Sequence, residues 1–138
     1  MPSSSPGPSR ASATEPLVLI VDDDERNLKL AGDVLRADGL RTVEAATGRQ
    51  ALEVAARDLP DLILLDLRLP DVDGVEVLRE LGRNAATAAI PVVALTALRT
   101  GGDSEWLLET GFAGSLEKPI SVRDFPAQVR AHCTNAAD

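Results

Sequence analysis

Residues 62–74 read LILLDLRLPDVDG, and the first five of them decide the fold. Leu62–Leu65 is a short continuous apolar run that stops on a carboxylate, Asp66. A strand covered on both faces needs apolar side chains on both, so it reads as a run without alternation. Two other segments have the same form: LVLIV (17–21), which stops at Asp22, Asp23 and Asp24, and VVAL (92–95), opened by Pro91 and followed by Thr96. RTVEA (41–45) is a weaker strand and 114–117 a short one. Between the strands, apolar residues recur at helical spacing. Leu28, Ala31, Val34 and Leu35 lead to a stop at Gly39; Ala51, Leu52, Ala55 and Leu59 lead to Pro60; Val77, Leu78 and Leu81 follow the LPDVDG loop. A further helix is expected around 103–110. The last is expected over about 125–134, with SVRD (121–124) as a capping box, Asp124 as cap and Pro126 tolerated in the first turn.

Five strand–helix units in alternation demand right-handed crossovers and a parallel sheet with helices on both faces. Function in such folds gathers at the carboxyl ends of the strands. Here those ends carry Asp22–Asp24, Asp66, Thr96 and Lys118.

The composition narrows the partners. The 138 residues fit one domain, and the 44% hydrophobic fraction is aliphatic, with two Phe, one Trp and no Tyr. A net charge of −8 and so few aromatics disfavour nucleic acid, which needs clustered cations or stacking platforms. No segment has the apolar length of a membrane span. Residues 1–16, MPSSSPGPSRASATEP, lack a signal-peptide core and read as a disordered tail. A single cysteine, Cys133, suits a reducing compartment, so a cytoplasmic protein is expected, with residues 17–134 folded and 135–138 a short tail.

Asp22, Asp23 and Asp66 at adjoining strand ends repel one another, and helix capping accounts for one acid per helix, not three. Asp24 has capping as its plain alternative. A hard divalent cation explains the cluster better, and Mg²⁺ suits one or two carboxylates with water and a phosphoryl oxygen. With that cation, an Asp can attack phosphorus and become an acyl phosphate. Lys118 offers charge and Thr96 a hydroxyl for the transferred group.

VLIVDDDERN, LILLDLRLPDVDG, PVVALTA and SLEKPIS resemble, in order and interval, the four sequence blocks of bacterial response-regulator receiver domains. The resemblance runs over roughly residues 16–133, and KPISVRDF makes it nearest in look to small stand-alone regulators of the cell-cycle type. It implies a flavodoxin-like, doubly wound (βα)5 fold with strand order 2-1-3-4-5. It also implies Asp66 as phosphoacceptor, Asp23 as the more direct Mg²⁺ ligand with Asp22 acting through water, and the Arg68 backbone carbonyl as a further ligand. Thr96 and Lys118 would contact the phosphoryl oxygens, and Pro119 would follow a cis peptide that aims the lysine. Ala97 is small, as access to the phosphoryl group requires. The implied partners are a sensor histidine kinase or histidine phosphotransfer protein and a downstream protein, reached by docking or onward relay, with the chain a monomer or weak homodimer. It is then a signalling protein that catalyses only its own phosphorylation and slow dephosphorylation.

Two departures stand out. Receivers carry Tyr or Phe three residues before the lysine; here Ser115 occupies that position, so transmission by an aromatic rotamer is lost unless Phe112 or Trp106 substitutes. Pro126 shortens the last helix. Two other readings stay open: a receiver-like module that works without phosphorylation, and a haloacid-dehalogenase-type phosphatase using Asp22 and Asp24 as its D-x-D. Arg26, where a Thr or Val belongs, opposes the second. His132 and Cys133 lie on the last helix and are expected to be packing residues.

Overall fold

A computed structural model of the chain describes residues 15–96, 101–118 and 120–137. Ala97, Pro119 with its expected cis peptide, most of the expected N-terminal tail and Asp138 lie outside these residues. The strands are β1 (Leu17–Val21), β2 (Arg41–Ala45), β3 (Leu62–Asp66), β4 (Val92–Thr96) and β5 (Gly114–Glu117). The helices are α1 (Glu25–Ala37), α2 (Gly48–Asp58), α3 (Gly74–Arg83), α4 (Gly101–Thr110) and α5 (Phe125–Ala137). All strands are parallel, in the order β2-β1-β3-β4-β5. This is the doubly wound 2-1-3-4-5 sheet.

The apolar runs explain why helices cover both faces. Val18, Ile20, Leu62, Leu64, Val93 and Leu95 point to one core, with Leu28, Ala31 and Leu35 of α1 and Phe125, Val129 and Cys133 of α5. The alternate residues Leu19, Val21, Ile63, Leu65, Val92 and Ala94 point to the other, with α2, α3, Leu107 of α4 and Phe112. Each central strand feeds two cores, so none of its positions tolerates a polar side chain until its carboxyl end. β2 is an edge strand with only Ala45 buried, which is why RTVEA reads weakly.

Local chemistry ends the helices. After α1, Gly39 at φ 93° lets its N–H bond Arg36 O (3.0 Å) while Leu40 N bonds Leu35 O (3.0 Å), a Schellman stop. Leu59 corrects an expectation: it does not extend the α2 face but takes a left-handed conformation (φ 47°) as cap and is 52% exposed. Val54, with Ala51 and Ala55, fills the core instead.

The last helix is also longer than expected. It reaches Ala137, not about 134, so it takes up most of the anticipated 135–138 tail. One half of the expected Ser121–Asp124 box is seen, Asp124 N donating to Ser121 Oγ at 3.3 Å, and Pro126 sits in the first turn. Phe125, Val129 and Cys133 anchor one stripe, and alanines favour continuation beyond it. At the other end the described chain begins two residues before β1: Pro16 O accepts from Arg41 N at 3.1 Å, and Arg130 Nη1 donates to Glu15 at 3.5 Å.

Cys133 is buried, and desolvation pushes its thiol up to about 11. At pH 8 it should therefore resist alkylation in the native protein and react fully in denaturant. Rapid native labelling, read by intact mass, would contradict this packing.

Candidate functional site

The carboxyl ends of β1, β3, β4 and β5 open onto a cleft of about 420 Å³ lined by Asp22, Asp23, Asp24, Asn27, Asp66, Leu67, Arg68, Thr96 and Lys118. Asp22 directly follows β1, and its N–H continues the ladder to Ala45 O at 3.1 Å. It is 1% exposed. Its Oδ1 accepts from Asp24 N at 2.9 Å, and its Oδ2 accepts from Asn27 Nδ2 at 3.2 Å. Asp66 closes β3 and is likewise buried. Arg68 N donates to its Oδ1 at 3.0 Å.

Lys118 joins the two acids, with Nζ 2.9 Å from Asp22 Oδ2 and 3.0 Å from Asp66 Oδ2. Its backbone N–H bonds Thr96 O at 2.9 Å, so the pairing of β5 with β4 aims its side chain. Burial disfavours the Lys118 charge, but hydrogen bonds to Asp22 and Asp66 outweigh it and hold the ammonium above its ordinary value. Burial raises the Asp66 carboxyl and neighbouring Asp22 adds to the rise, against the lowering by Arg68 N–H and Lys118. Asp66 is thus a partly desolvated carboxylate at the mouth of the sheet.

Asp23 differs from Asp22 in being exposed, yet one carboxylate oxygen from each of Asp22, Asp23 and Asp66 lies within 4.8 Å of the others. Three hard oxygen donors at that spacing fit a divalent cation such as Mg²⁺. Asp22 already carries three hydrogen-bonding partners, which leaves Asp23 and Asp66 the more available donors.

The structure therefore brings together Asp22, Asp23, Asp66, Arg68, Thr96 and Lys118. Asp24 takes the plain role: it caps α1, Oδ1 accepting from Arg26 N at 2.9 Å. Ser115 lies opposite Ala94 and is half-buried. Phe112 is locked in the core, and Trp106 on α4 is 48% exposed. His132 packs over Gly114, where an added Cβ would meet its Cε1 at 2.6 Å.

Two residues escaped the sequence reading. Asn27 orients Asp22, and only its place five residues on, in the first turns of α1, hints at this. Gly74 reads as a turn glycine, but it is the first residue of α3 pressed onto β3. An added Cβ would lie 2.9 Å from Leu67 Cα and 3.0 Å from Asp66 O, both backbone. Gly74→Ala should therefore displace the end of β3 and cost about 2 kcal/mol. An unchanged urea midpoint would refute the close approach.

Comparison with known proteins gives a consistent result. The family model described as the response regulator receiver domain matches residues 18–130. The polar-differentiation response regulator DivK of Brucella ovis is 39% identical over 119 residues, which cover 86% of this chain and 97% of that protein. A CheY-like receiver domain protein from Methanospirillum hungatei superposes with TM-score 0.79 at 24% identity, covering 90% of this chain and 98% of its own. The chemotaxis response regulator CheY4 of Vibrio cholerae gives 0.80 at 24% identity, over 86% and 99%. At that identity the two structures speak for the fold alone.

Proposed function

The chain belongs to the response-regulator receiver family, and from that premise we propose that Asp66 is its phosphoacceptor in a Mg²⁺-dependent reaction. It is a two-component signalling protein, and the reading of its site rests on one observation above the rest. Three carboxylates converge within 4.8 Å at the mouth of the sheet, and the ammonium of Lys118 bridges two of them.

Asp23 and Asp66 would hold the cation, with Asp22 behind them and the Arg68 carbonyl completing the protein ligands. When bound, Mg²⁺ would supply the positive charge that offsets these carboxylates and the oxygens of an incoming phosphoryl group. A carboxylate oxygen of Asp66 attacks phosphorus as the bond to the donor breaks; from a phosphohistidine, the imidazole leaves with the electron pair and takes a proton from water. Lys118 and the Thr96 hydroxyl then face the new phosphoryl oxygens. The donor class is a histidine kinase or histidine phosphotransfer protein, and slow hydrolysis resets the switch.

Output does not run through an aromatic rotamer at position 115, because Ser115 has no ring to swing. Among the described residues no helix is long and apolar enough to cross a membrane. The phosphatase reading is weakened because Asp24 is engaged as a cap. Incubation with acetyl phosphate and Mg²⁺ should raise the intact mass by one phosphoryl group, and EDTA should prevent it. No mass increase would overturn phosphorylation and favour the phosphorylation-independent module.

A further inference from the structure

Asp71 stands in the loop between β3 and α3, five residues beyond the acid that closes β3. Its carboxylate is not a site ligand. Oδ1 accepts from Gly48 N at 2.8 Å and Oδ2 from Arg49 N at 3.0 Å. These are the first two amides of α2; the third, Gln50 N, donates to Thr47 Oγ at 3.1 Å. The free N–H groups of a helix start are thus met by one local hydroxyl and one carboxylate from another loop.

The next residue reinforces the contact. Val72 occupies the space a Gly48 side chain would need, since an added Cβ would collide with Val72 Cγ2 and lie 2.9 Å from Val77 Cγ2. The same loop closes on itself: Arg68 and Asp73 form an antiparallel bridge, and Gly74 N bonds Leu67 O at 3.1 Å. Fixing Asp71 and Val72 therefore fixes the other limb, which carries Arg68 beside Asp66.

We propose that Asp71 is a positioning residue: its clasp on the start of α2 holds the 67–73 hairpin so that the Arg68 backbone stays in register with Asp66. The proposal rests on the reading of the cleft as a Mg²⁺ and phosphoryl site. It links α2, which contributes nothing to the cleft, to the geometry of the metal ligands. Hydrogen bonds from Arg49 N and Gly48 N hold the Asp71 carboxyl below its ordinary 3.8. A carboxyl lowered in the folded state contributes above its unfolded value and is lost as pH falls through the folded one. The clasp is closed at neutral pH.

Mg²⁺ titration by calorimetry, alongside amide spectra, tests this in the full chain. Asp71→Ala should weaken Mg²⁺ binding about tenfold, the scale for removing a group that orients a metal ligand, and shift the Gly48 and Arg49 amide resonances. Asp71→Asn, with one acceptor oxygen, should fall between. Gly48→Ala disturbs the same contact from the α2 side and should weaken Mg²⁺ similarly, the double variant being no worse than the poorer single. Wild-type Mg²⁺ affinity in Asp71→Ala, with its amide shifts changed, would overturn the proposal while leaving the phosphorylation reading intact. A wild-type chain that binds no Mg²⁺ and takes up no phosphoryl group would overturn both.

Discussion

Asp66→Asn is expected to lower phosphoryl uptake from acetyl phosphate by about a thousandfold or more, the scale of removing a nucleophile outright. The substitution keeps the shape and one oxygen to accept from Arg68 N, so the end of β3 should stay in place. What it removes is the nucleophilic lone pair and the charge. Its effect on stability should run the other way. The Asp66 carboxyl is raised by burial, and a group raised in the folded state contributes below its unfolded value, here about 3.8, and loses that contribution as pH rises through the folded value. At neutral pH the ionised Asp66 is therefore a burden beside Asp22. In EDTA at pH 7, Asp66→Asn should unfold at the same urea concentration as wild type or a higher one. Persistent uptake in Asp66→Asn, with uptake lost in Asp22→Asn, would transfer the nucleophile to the acidic run after β1.

The parts of this molecule legible in its sequence are those set by short-range pattern. LVLIV, LILL and VVAL announce strands buried on both faces because nearly every residue, whichever way it points, packs into one of the two cores. The carboxyl end of each run then locates the cleft, since polar residues return only where the sheet ends. Contacts made across long separations were silent. Asp71 reads as one more acidic loop residue, yet its partners Gly48 and Arg49 lie 23 and 22 positions away. Gly74 looks like a turn because the backbone pressing on it belongs to Asp66 and Leu67, reached through the loop rather than through spacing. Leu59 fits the helical period but adopts the conformation of a cap, with Pro60 beside it. The length of α5 was hidden by Pro126, whose cost vanishes once the Ser121 turn places it at the helix start.

Lys118→Ala should carry the second large effect, and in the metal-free protein it should fall on stability. The ammonium sits 2.9 Å and 3.0 Å from the Oδ2 atoms of Asp22 and Asp66, with 19% of its side chain exposed. Removing one partner of a buried ion pair leaves uncompensated charge and costs about 3–5 kcal/mol in a closed interior. This cleft admits water, so a loss of about 2 kcal/mol is expected at pH 7 in EDTA, measured by urea unfolding. The Lys118 ammonium is held above its ordinary 10.5. As far as its own titration goes, its contribution is complete below that value and fades as pH rises through the folded one. The loss on substitution should accordingly be undiminished at neutral pH. In acid it should shrink, because Asp66, whose carboxyl is raised by burial, takes up a proton and no longer needs the ammonium. Mg²⁺ should also restore the variant, since a cation bound only by the folded state stabilises it by mass action. Equal stability of wild type and Lys118→Ala in EDTA would mean that Lys118 does not compensate the acidic cluster, and solvent would have to be doing so.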